Sequence, residues 1–127
     1  MLRIVSIAVL GVVACSHANA TGRTMPINFI GEWCYSAHEK GSTSYLLPSW
    51  TDGRCTRILS VHPYGFSDGS QHCEPVKIRQ SSNTAPSGIS HIATITARCQ
   101  SNGPAKSGKL RTFEFVRYKG SLSVTAK

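Results

Sequence analysis

Two histidine–carboxylate pairs are the side chains best suited to acid–base chemistry in this chain: His38 with the adjacent Glu39, and His72 with Glu74 on either side of Cys73. An imidazole oriented by a carboxylate can act as a general base, but only beside a nucleophile, an oxyanion site and a cleft that holds substrate. The whole chain has only six acidic residues, and no thiol is expected to be free. The histidines are therefore read as surface groups whose charge follows ambient pH. No catalytic residue is assigned, and the chain is expected not to be an enzyme.

A second set of candidates binds rather than reacts. The long connection 36–54, between Cys34 and Cys55, clusters Tyr45, Leu46, Leu47 and Trp50. Long connections rich in aromatic residues often serve as binding loops or lids, and an exposed Trp beside a Tyr would anchor a protein interface. The third set is electrostatic. Lys and Arg total 14 against six Asp and Glu, a formal charge of +8, which favours anionic partners. Arg57, Lys77, Arg79, Arg98 and Arg117 fall on the outward faces of the expected strands, as a patch for an anionic envelope component. The basic residues are scattered, without a stripe interleaved with aromatics, so nucleic acid is not an expected partner.

The compartment decides how the cysteines are read. Arg3, an apolar stretch over 4–14 and the small-x-small Ala18-Asn19-Ala20 read as a signal peptide over 1–20. A single β domain over 21–127 follows it. An apolar run of about eleven residues is short of the roughly 20 that a membrane-spanning helix needs, so no transmembrane segment is expected. Val12-Val13-Ala14-Cys15 also fits a lipobox, making a lipoprotein acylated at Cys15 the alternative. Either route leads to the periplasm or beyond, where Cys34, Cys55, Cys73 and Cys99 should form two disulfides. There is no C-x-x-C pair or Cys/His cluster, and neither a metal nor another cofactor is expected.

The elements that must position these residues have a period of two. In 91–99, Ala93, Ile95, Ala97 and Cys99 share one face while Thr94, Thr96 and Arg98 share the other, as in a half-buried strand. Val76, Ile78 and Gln80 oppose Lys77 and Arg79, with Pro75 admissible near a strand start or edge. Further strands are read at 27–35, 55–62, 64–68, 110–118 and 121–125. A tight turn is expected near His62-Pro63, others at Ala85-Pro86-Ser87-Gly88, Asn102-Gly103-Pro104 and Ser107-Gly108, and a two-residue hairpin turn at Lys119-Gly120. Residues 36–44 have room for a turn or two of helix. The pattern predicts an all-β fold, a small antiparallel β-barrel or β-sandwich meander. If strand 74–80 runs antiparallel to strand 91–99, Cys73 meets Cys99, and by the same argument Cys34 pairs with Cys55.

Gly31-Glu32-Trp33 resembles the G-x-W of the first strand of lipocalins and related calycin barrels, including periplasmic metalloprotease inhibitors of bacteria. The resemblance implies that Trp33 plugs the closed end of a barrel and that Gly31 lets backbones approach closely. The chain is shorter than most lipocalins, so an interior filled by side chains is expected. More broadly it resembles the small secreted four-cysteine proteins of proteobacteria that carry no assigned activity. The expected function is a secreted or periplasmic binding protein, an inhibitor-like module for an unknown protein. The alternatives are a calycin-like carrier of a small ligand and a cationic envelope-associating structural protein.

Overall fold

The computed structural model describes residues 21–101 and 108–127. The expected signal peptide, the lipobox Cys15, the turn at Asn102-Gly103-Pro104 and residue Ser107 lie outside the described residues. Among the described residues nine strands follow one another: β1 Thr21–Gly22, β2 Gly31–Glu39, β3 Ser42–Leu46, β4 Ile58–His62, β5 Gly65–Ser67, β6 His72–Ala85, β7 Gly88–Gln100, β8 Lys109–Tyr118 and β9 Ser121–Ala126. Two single turns of 3-10 helix, Ile27–Phe29 and Pro48–Trp50, interrupt them.

Every pairing is antiparallel, and the long β6–β7 hairpin joins the ends of the sheet, so that β2 to β9 close into a barrel. β1 adds two residues to the edge of β6. A barrel, rather than a sandwich, is therefore the form taken, and full closure leaves few unpaired edges. From β4 to β9 the chain is a meander. The one step out of order lies at the start, where β2 pairs with both β3 and β4 and β3 pairs with β9, so the β3–β4 connection crosses over β2. The Cys34–Cys55 disulfide ties that crossover to β2, with Cα atoms 5.3 Å apart. The second disulfide, Cys73–Cys99, links directly opposed residues of β6 and β7. Both bridges pair as expected.

Alternation places Trp33, Leu59, Phe66, Ile78, Ala93, Ile95, Phe113, Phe115 and Leu122 inside, all buried. Edge-to-face contacts link the rings: Phe29 to Phe115 at 5.8 Å, Phe66 to Phe115 at 5.0 Å and Phe66 to Phe113 at 5.4 Å between centroids. Such pairs add to the gain from burial alone. Pro75 sits inside β6 at a bulge between Pro75 and Lys77, where the missing N–H does not break the ladder.

Four local expectations are corrected. The first core strand starts at Gly31, since Ile27–Phe29 forms 3-10 helix and its Phe29 carbonyl accepts a hydrogen bond from Trp33 Nε1 at 3.0 Å. Nothing lies within 4 Å of a Cβ built on Gly31; the glycine is required there by its φ of 141°, not by close approach. Residues 36–44 hold no helix but a β2–β3 hairpin turning through Lys40 and Gly41, both at positive φ. At the Lys119-Gly120 turn it is Lys119 that takes the positive φ, while Gly120 leaves room for the ring of Trp50, which a Cβ would strike.

Candidate functional site

Strand directions give the barrel two unlike ends. At one end Trp33 is completely buried under the turn Ile27–Phe29. Arg117 lies over its ring, 5.0 Å from the centroid, and donates to the carbonyls of Asn28 at 2.7 Å and Lys119 at 3.0 Å. This end is closed.

The other end holds a cup of about 230 Å³. Its wall is apolar, from Leu59, Phe66, Phe113 and Val124, and its polar lining comes from Tyr45, Asp68, Gln71, Arg111 and the His38–Thr43 pair. β8 carries Arg111 on the inward parity of Phe113 and Phe115, opposite Ala97 of β7. The guanidinium stacks over the Phe113 ring, 5.1 Å from its centroid, and donates to Gln71 Oε1 at 2.9 Å. Asp68 opens the tight β5–β6 turn. Its Oδ1 accepts from the Ser70 hydroxyl at 2.8 Å, the Ser70 N–H at 2.9 Å and the Gln71 N–H at 3.0 Å. Burial works to raise the Asp68 pKa, but these hydrogen bonds outweigh it and hold the carboxyl below its ordinary value. Burial, with the nearby Asp68 charge, pushes the Tyr45 phenol up, so it remains a neutral O–H. His38 Nδ1 and Thr43 Oγ1 share a hydrogen bond of 2.8 Å at the rim.

The expected binding loop is divided by this geometry. Tyr45 belongs to β3 and points into the barrel, edge-to-face with Tyr35 at 6.3 Å. Leu46 pairs with Cys34 and Ser121, and Leu47 packs against the core. Trp50 is 57% exposed and lies on Gly120 at the closed end. Tyr45 and Trp50 thus face different surroundings, and the exposed Trp beside a Tyr that an interface anchor would need is not formed.

The expected cationic patch divides in the same way. Lys77, Arg79 and Arg98 are exposed on the adjacent strands β6 and β7, with Glu74 directly opposite Arg98. Arg57 stacks on the Tyr35 ring at 4.6 Å, and Arg117 is engaged at the closed end. The wall therefore carries three of the five.

His72 Nε2 lies 3.8 Å from Glu74 Oε1, and its ring stacks on His62 at 5.8 Å. Glu39 follows His38 on a strand, where successive side chains point to opposite faces. Sequence reasoning passed over the Gly-x-Ser-x-Gly spacing at Gly65-Phe66-Ser67-Asp68-Gly69. A nucleophile elbow needs a sharp strand-to-helix turn, whereas Ser67 ends β5 and donates its hydroxyl to the Gln71 carbonyl at 3.0 Å. Among the described residues no group of three or more His, Cys, Asp or Glu side chains is placed to hold a metal ion, and no helix is long and apolar enough to cross a membrane.

Asp68, Gln71 and Arg111 were also missed. The spacing Arg111, Phe113, Phe115 carried a signal for the last, since period two puts all three on the inner face. No family model, curated protein or solved structure matches this chain.

Proposed function

We propose that this chain is an exported, non-catalytic binding barrel that takes a small molecule in the cup at its open end. The observation that supports it best is the hollow itself: an apolar wall with a few convergent polar groups, at one end of a barrel whose other end is filled by Trp33 and Phe29. Small-molecule sites have this composition. An apolar cavity of about 150 Å³ takes benzene, so the cup suits one ring with a short polar arm. Export is supported by the two disulfides, which persist in oxidising compartments, and by the expected signal peptide. This reading favours the small-ligand alternative over the inhibitor-like module, because Tyr45 faces the cup and not a partner.

The test is an amide-resonance titration of the disulfide-bonded protein with indole. Shifts confined to the strands and turns that line the cup, Leu59, Phe66, Phe113 and Val124 foremost, and lost in Ala126→Phe, where a ring is added at the mouth, are the expected result. Shifts centred elsewhere, or none with indole or with charged aromatic analogues of it, would overturn the reading. A second reading rests on the three exposed cations of the β6–β7 wall, and predicts association with anionic vesicles that falls steeply with salt.

A further inference from the structure

The cup contains two opposite charges, each without an ionic partner. Among the described residues the ion pairs are His72–Glu74 and Lys127–Glu114; neither Arg111 nor Asp68 takes part in one. A guanidinium has five N–H donors, and the contact with Gln71 uses one. All three hydrogen bonds to Asp68 fall on Oδ1, which leaves Oδ2 without a hydrogen bond from the described residues. One residue spans both groups. Gln71 gives its backbone N–H to Asp68 and takes the Arg111 guanidinium on its side-chain oxygen, so one residue ties the cation and the anion to the same rim.

We propose that the cup selects a small zwitterion, with an apolar or aromatic body against Leu59, Phe66 and Phe113, an anionic group at Arg111 and a cationic group at Asp68. An α-amino acid with an apolar side chain is the simplest member of that class. The proposal rests on the reading of the cup as a ligand site. An anion alone would share the hollow with the Asp68 charge, and a cation alone with Arg111. Like-charge encounters in a partly desolvated site are costly. A neutral ring would leave both charges without a partner.

The probes are L-phenylalanine, 3-phenylpropionate, which lacks the ammonium, 2-phenylethylamine, which lacks the carboxylate, and indole, which lacks both. Each is titrated into the full disulfide-bonded protein and followed by amide resonances of the cup. Phenylalanine is expected to bind at least about tenfold more tightly than either singly charged analogue, the difference that one charged hydrogen-bonded contact makes. Arg111→Gln should lower phenylalanine affinity to that of 2-phenylethylamine, and Asp68→Asn to that of 3-phenylpropionate. Amide resonances of β6 and β7, away from the cup, should match the parent's in both variants, which shows that they fold. Equal or tighter binding of either singly charged analogue would overturn the zwitterion proposal. If indole binds but the three charged probes are not discriminated, the proposal fails while the cup stands as a ligand site. If indole and the charged probes all fail to bind, the cup reading fails and takes the proposal with it.

Discussion

Arg117 caps Trp33. Its guanidinium lies 5.0 Å from the ring centroid while its N–H groups reach two carbonyls, from Asn28 in the turn before β2 and from Lys119 in the turn after β8. One side chain near the end of the chain thus joins the first core strand, the turn that covers it and the last hairpin. The cation–π contact and the bonds to carbonyls act on the same group, so their loss should be felt as one event.

Arg117→Gln should lower stability by about 2 kcal/mol, from the lost cation–π contact and charged hydrogen bonds. Urea denaturation should show a lower midpoint with an unchanged slope. Ligand affinity at the cup should be unaltered, because the closed end is remote from it. An unchanged midpoint would mean that the contact is incidental.

Gly120 and Trp50 form the next test. A Cβ at residue 120 would strike the indole ring, so Gly120→Ala should destabilise by about 1–3 kcal/mol through overpacking. In a Trp50→Ala background the same change should cost far less. Full additivity in that double-mutant cycle would show that ring and turn are uncoupled.

The Cys34–Cys55 bridge closes a loop with a sequence separation of 21 and ties the crossover to β2. Replacing both cysteines by serine should cost about 3 kcal/mol in the chain-entropy model. Amide exchange should quicken first over 47–57, with β6 to β8 still protected. Uniform loss of protection would place the bridge in the folding of the whole barrel.

Asp68 supplies a pH dependence with a definite sign. Its folded-state pKa lies below the ordinary value, so the stability it contributes is complete above the unfolded value of about 3.9 and is lost as pH falls through the folded one. The stability difference between the parent and Asp68→Ala should be widest near neutral pH and close progressively in acid below about pH 4. A difference independent of pH would show that the carboxylate is not held charged in the fold.

By itself the sequence determined the local architecture. Ala93, Ile95, Ala97 and Cys99 announce a strand with one buried face, and the positions of Cys73 and Cys99 at matching ends of a hairpin predict their bridge, because strand parity and hairpin register are short-range properties. The same parity, followed from Phe115, puts Arg117 on the inner face over Trp33 and Arg111 at the mouth, and so corrects the outward face expected for Arg117. Tertiary structure alone decided the rest. That β3 pairs with β9 is a relation between strands distant in the chain, and it closes the barrel together with the crossing of the β3–β4 connection over β2. The cup exists only through them: Tyr45, Asp68 and Arg111 come from β3, the β5–β6 turn and β8, and their meeting at one mouth depends on barrel closure, which no local pattern encodes.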